Sequence, residues 1–382
     1  MINRINSTCS FKCNNQIIDS HVHLGKMGGK TYRPETLVEF STPNEQGKSV
    51  KAFFASALEC LVKENGKYAE NETSGNLNMV QNIKNANAQD VIKPLLSCQP
   101  DCGNADNIET LLKSGEKFYG FKFHPMGAGL NADSTLYDPY MKLAQKYKLT
   151  TVFHSDATGT MADPRRIYNL AKRTPNVPVV LYHMSLAPAK KVSDLTEDEI
   201  NQRGIGNARD KWIWDVREKW NQDGIDAVKE SLTKKDANLY LETSWTKPET
   251  VVKAIKEVGA DRVLFGTDAP IGDFGEFATK EKYYEYVDSI QNAIRTEFKE
   301  KADGIIEKVF YQNAEGLFKQ QTFPPVITET ASRTRPGKIL GIAAGIVGAG
   351  VGLFALNKHA QANKAKNIQI PKQQLYRFTA FA

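Results

Sequence analysis

Residues 17–25 read IIDSHVHLG, an acid and two histidines on every second position of an otherwise apolar run. Side chains two apart on a β-strand share a face, so Asp19, His21 and His23 are expected to project together. The chain holds six histidines. Two of them on one face of an apolar strand need a reason, and the reason depends on what the strand belongs to.

Further apolar or β-branched runs follow at 50–57, 91–97, 118–124, 150–154, 179–183, 239–242 and 263–268, making eight with the first. Between them lie stretches with helical spacing, among them SGNLNMVQNIKNANA (74–88), DPYMKLAQKYK (138–148) and PETVVKAIKEV (248–258). Strand and helix alternating eight times predict an α/β fold, with parallel strands joined by right-handed crossovers and closed as a (β/α)8 TIM barrel.

Chemistry in such barrels sits at the C-terminal ends of the strands. His124 closes the fourth run in GFKFHP, His154 the fifth in TVFHSD and His183 the sixth in VVLYHMS, while Asp268 closes the eighth in VLFGTDAP. Five of the six histidines therefore fall on the expected rim, with His359 alone elsewhere. A single strand histidine is usually a satisfied core group. His21, His23, His154 and Asp268 together are different, because imidazole nitrogens plus a carboxylate are the ligand types preferred by borderline divalent ions such as zinc.

The ordered set DSHVH, GFKFHP, FHSD, YHMS and LFGTDAP, followed by YQNAEGLF, resembles the amidohydrolase superfamily over residues 17–318. More narrowly it resembles the amidohydrolase-related branch, which also holds non-oxidative decarboxylases of the aminocarboxymuconate-semialdehyde type. The resemblance implies that His21, His23, His154 and Asp268 hold one divalent metal, that His183 assists the metal-bound water and that His124 faces the substrate. Physical chemistry supports that division. A catalytic metal with an open position lowers the pKa of bound water and polarises a substrate oxygen. Asp268 can then take the water's proton, and His183 can orient the nucleophile or polarise the substrate. Asp19 is expected either to hold a ligand histidine in one tautomer or to form a salt bridge at the barrel bottom.

Lys122 shares parity with His124 and is expected inside the barrel, as a buried or substrate-facing ammonium. Two-metal members of the resembled superfamily carry a carbamylated lysine at the end of the fourth strand. One metal is expected here, because His124 takes the outermost inward position of that strand. The glycine-rich GKMGGKT after the first strand falls one residue short of a Walker loop and is expected to form part of the rim.

Substrate identity is carried by the loops. The longest insertion, residues 186–236, contains Trp212, Trp214 and Trp220, placed where a cap over the pocket would lie. Arg165, after the fifth strand, is expected to bind a substrate carboxylate.

The net charge of +6 does not signal a nucleic-acid partner. Eight basic residues and no acid lie from Ala331 onward, leaving 42 basic against 44 acidic residues in the body. The five cysteines are odd in number and show no C-x2-C spacing, which fits a reduced, cytoplasmic setting. The N-terminus lacks a secretory apolar stretch.

After the barrel (1–322) the sequence predicts a proline- and threonine-rich linker (323–337), a hydrophobic membrane-anchoring helix (338–358) and a basic tail (359–382). Ile339 to Leu356 carries no charge, and as a helix would span about 27 Å against a hydrocarbon core of ~30 Å. The expected location is thus cytoplasmic-facing and membrane-associated, with a homo-oligomer left open.

Three functions compete. The first is metal-dependent hydrolysis of a C–N or C–O bond in a small molecule. The second is non-oxidative decarboxylation of an unsaturated or aromatic acid on the same site, and the third is an inactive membrane-tethered binding protein.

Overall fold

The computed structural model describes residues 16–188, 191–206, 212–271 and 279–319. Among the described residues eight strands form the barrel, each followed by a principal helix. The strands are β1 (Gln16–Met27), β2 (Ser49–Ala57), β3 (Ile92–Pro94 and Leu96–Ser97), β4 (Gly120–Phe123), β5 (Thr150–Asp156), β6 (Pro178–Leu186), β7 (Asn238–Glu242) and β8 (Val263–Leu264). The helices that follow them are α1 (Pro34–Ser41), α2 (Glu72–Asn85), α3 (Ala105–Leu112), α4 (Asp138–Tyr147), α5 (Pro164–Ala171), α6 (Glu218–Lys234), α7 (Pro248–Val258) and α8 (Lys280–Phe298). Local chemistry sets their starts. Proline, whose missing N–H costs nothing in the first turn, opens α1, α5 and α7. Asn71 and Asn104 cap α2 and α3 by accepting backbone N–H bonds.

Neighbouring strands pair in parallel around the sheet, from Ile17 opposite Val50 to Leu241 opposite Val263. The ring closes where the segment after β8 meets β1. Ser20 N–H donates to the Phe265 carbonyl at 3.0 Å, Asp268 N–H to the His21 carbonyl at 2.7 Å and His23 N–H to the Ala269 carbonyl at 2.8 Å. Inside, Ile18, Phe54, Leu95, Val152, Val180, Tyr182 and Leu264 fill the barrel floor. A larger apolar layer, with Val22, Phe53, Phe121, Phe153, Leu181 and Leu241, packs outward against the helices.

Two irregularities aim the site. The β1–β2 pairing slips between Asp19 and Val22, a bulge that inserts one residue and resets the alternation. Ile18 faces the interior, Asp19 faces the helical layer, and His21 and His23 face inward again. The expectation that all three polar residues share a face is therefore corrected: Asp19 points away from the histidines. The second irregularity is at the end of β6, where His183, Met184 and Ser185 all have positive φ. Strict alternation from the inward Tyr182 would send His183 outward. The left-handed turn brings it back, and the Asn221 amide of α6 holds it by donating to the His183 and Ser185 carbonyls at 2.9 and 3.1 Å.

GKMGGKT forms a hairpin in which Gly25–Met27 pair antiparallel with Lys30–Tyr32, Gly28 and Gly29 supplying the positive φ of its turn. Cys60 and Cys98 are buried free thiols, and Cys102 is an exposed one. No helix among the described residues is long and apolar enough to cross a membrane. The expected linker, anchoring helix and basic tail lie outside the described residues, as do Cys9, Cys13 and His359.

Candidate metal centre

Three ligand-type atoms converge where β1 meets the segment after β8. The Nε2 atoms of His21 and His23 lie 3.0 Å apart, and each reaches Asp268 Oδ1, at 3.0 and 2.9 Å. His183 has a ring nitrogen within 4.8 Å of the His21 and Asp268 ligand atoms. The other nitrogens of the first-strand pair are engaged elsewhere. His21 Nδ1 lies 3.1 Å from Glu242 Oε2 and 3.2 Å from Ser244 Oγ, and His23 Nδ1 lies 2.9 Å from Ser56 Oγ. Two imidazoles fixed from behind and sharing one carboxylate oxygen in front are the donor set a zinc-like divalent ion takes.

Electrostatics agree. Burial holds the His21 pKa well below the ordinary histidine value and lowers that of His23, so both rings offer lone pairs. Burial alone would raise Asp268, but His21 and His23 beside it hold its carboxyl well below the usual range. Its second oxygen accepts the Trp245 indole N–H at 2.7 Å.

The end of β7 and the segment just after it supply two residues that the sequence reading missed, Glu242 and Ser244. Glu242 is fully buried; its Oε1 accepts the Ser244 N–H, and its Oε2 accepts the Ser244 hydroxyl at 2.7 Å and the His183 N–H at 3.2 Å. With its proton committed to Glu242, the Ser244 hydroxyl turns a lone pair toward His183 Nδ1, 2.8 Å away. Burial pushes Glu242 up to about 8 and His183 down to about 3. A cation beside His21 would draw Glu242 back toward its ionised form. The signal was available, since Glu242 ends its strand at the same rim as the histidines.

The remaining expected residues divide. His154 reaches the rim with its Nδ1 3.2 Å from His183 Nε2, and its ring stacks on His124 at 4.0 Å and 11°. Its described contacts are with those histidines and not with Asp268. Lys122 is fully buried, its Nζ 3.2 Å from His21 Nε2 and 4.0 Å from the Tyr182 ring centre, and burial lowers its pKa to about 7. It is the buried group expected from the sequence, and its Nζ sits at the same His21 nitrogen that faces Asp268, at the edge of the candidate centre.

Arg165 is not in the site. It pairs with Glu230 across the outer faces of α5 and α6, because its place in the first turn of α5 points it into the helical shell. Among the described residues Asp19 neither touches a histidine ring nor forms a salt bridge. It accepts the His21 and Thr267 N–H groups and the Thr267 and Tyr283 hydroxyls, tying β1 to the closing segment and to α8. Trp220 does not cap the pocket. It is buried with Ala187, Val192, Ile200 and Ile213 in a cluster of its own, with Arg203 over its ring at 4.6 Å. Trp212 is exposed, and the Trp214 side chain lies outside the described residues.

A profile of the family described as amidohydrolase matches residues 18–320. Among solved structures, an amidohydrolase from Burkholderia multivorans with bound HEPES is similar at a TM-score of 0.51 and 11% identity, over 79% of this chain and 99% of that one. A Staphylococcus aureus chain assigned as an amidohydrolase gives 0.50 and 15%, over 79% and 99%. A manganese-bound 5-carboxyvanillate decarboxylase from Novosphingobium aromaticivorans gives 0.48 and 11%, over 80% and 97%. No curated protein sequence matches the chain. At these identities the structural likeness speaks for the barrel fold alone.

Proposed function

The chain belongs to the amidohydrolase family, and on that premise we propose that it is a zinc-dependent hydrolase acting on a C–N or C–O bond of a small molecule. Family membership makes it an enzyme of metal-dependent hydrolase or decarboxylase type. The convergence of His21 and His23 on one oxygen of Asp268 carries the finer reading. His154, whose Nε2 has no hydrogen-bond partner among the described residues, completes the proposed ligand set.

A divalent ion held there supplies a water of near-neutral pKa and a Lewis-acid contact for the substrate. The chain's own groups do the rest. Asp268, fixed through Oδ2 by Trp245, keeps Oδ1 ionised and takes the proton of the attacking water. His183 stays neutral at pH 7; its Nδ1–H donates to Ser244 Oγ and its Nε2 accepts the His154 Nδ1–H, so His183 acts on the site by holding His154 with Nε2 bare. The stacked His124 and His154 rings form a wall of the pocket mouth.

Elemental analysis of the purified chain tests the proposal. About one equivalent of zinc is expected, lost in Asp268→Ala and weakened ten- to a hundredfold in His154→Ala, with a drop in turnover of at least a hundredfold in the former. A chain that neither carries nor takes up a divalent ion overturns it. The decarboxylase reading uses the same residues, and release of carbon dioxide without hydrolysis would replace the hydrolase with it. The membrane anchor at 339–356 is proposed alongside, on the apolar sequence alone.

A further inference from the structure

His124 ends β4 and caps the short helix Pro125–Ala128 with its own ring: the Gly127 N–H points at His124 Nδ1, 3.0 Å away. A backbone N–H can only donate, so Nδ1 must present its lone pair, and a neutral imidazole with Nδ1 bare carries its proton on Nε2. With Nδ1 bare the ring holds a single proton and is neutral. The backbone that sets this tautomer is itself fixed. A Cβ at position 127 would sit 2.1 Å from the Leu61 carbonyl oxygen, so only glycine lets the N–H come this close. Among the described residues nothing accepts the Nε2 proton. Stacked face to face on His154, the ring has little freedom to turn.

We propose that His124 is a dedicated hydrogen-bond donor to the substrate, its Nε2–H locked by Gly127 and directed at an acceptor oxygen on the group being cleaved. This deepens the proposed function and rests on it for the identity of the acceptor, a carbonyl oxygen; the tautomer is a property of the chain alone. His124 then supplies a proton to the oxygen on which negative charge develops. The pocket accordingly selects substrates with an acceptor, not an amine or other donor, at that position.

Two variants separate the functions of the ring. Asparagine places its oxygen about where Nδ1 lies, preserving the cap but presenting no outward donor. Glutamine carries its amide NH2 about where Nε2 lies, preserving the donor. In the full chain labelled with 15N-histidine, long-range proton–nitrogen spectra at pH 7 should show His124 protonated on Nε2 and bare on Nδ1, the signals being assigned by their loss in His124→Asn. With 4-nitrophenyl acetate as the carbonyl probe and zinc present, His124→Asn should lose tenfold or more in kcat/KM and His124→Gln should keep more than half of it. A His124 protonated on Nδ1, or equal losses in the two variants, overturns the proposal. Because the spectra need neither zinc nor turnover, a chain that binds no metal would fail the proposed function while leaving the tautomer measured.

Discussion

Asp156 stands two residues beyond His154, at the outer end of β5, and among the described residues its carboxylate accepts a single hydrogen bond, from the Ala157 N–H at 2.7 Å. Burial pushes its pKa up to about 6. Between about pH 4 and pH 6 the folded chain therefore holds a proton that the unfolded chain has released, so stability falls as pH rises through that window. Asp156→Asn removes the dependence. Relative to the parent it should gain on the order of 1–2 kcal/mol between pH 4 and pH 7 once solvent screening is allowed for, read as a rise of a few degrees in the Tm difference. Identical Tm differences at the two pH values would refute the assignment. At this scale the sequence was legible where residue type and strand-end position sufficed, as for His21, His23, His183 and Asp268. Asp19 was misread, because period-two reasoning assumes no inserted residue and a bulge leaves no mark in composition.

At the scale of elements, the left-handed turn at the end of β6 is the device that brings His183 into the pocket, and α6 holds it through Asn221. Asn221→Ala leaves two carbonyls without their donor and should cost about 1–3 kcal/mol of stability. Turnover should fall further than the loss of folded protein explains, while bound-metal content stays at the parent's level; unchanged turnover per folded molecule would mean that the turn holds itself. Arg165→Ala makes the opposite case. An ion pair half exposed on the helical shell contributes at most about 1 kcal/mol, so kcat/KM should remain within twofold of the parent. A tenfold loss would return Arg165 to the pocket. The eight strands were legible because each is a short apolar run bounded by turn residues. The direction of α5's first turn was not, since it depends on which neighbour the helix packs against, and Glu230 lies 65 residues away.

For the whole molecule, the charge asymmetry read from the sequence bears on how the barrel is held in a cell. If 339–356 anchors the chain, lysis without detergent should sediment it with membranes and detergent should release it. Recovery in the supernatant would remove the tether and leave the enzyme reading intact, because all the proposed site residues lie within 16–271. Barrel closure has a different kind of consequence. His21 and His23 come from the first strand, whereas Asp268 lies 247 positions after His21, in the segment that shuts the ring. At about 5–20 residues per second, a ribosome takes roughly 12–50 s to travel from one to the other. During that time the histidine pair exists without its carboxylate, and the bonds that align the two appear only when the seam closes. The proposed cation site is thus completed only after the first 267 residues have been made, and a polypeptide truncated before residue 268 lacks its carboxylate and the Asp268 and Ala269 bonds of the seam.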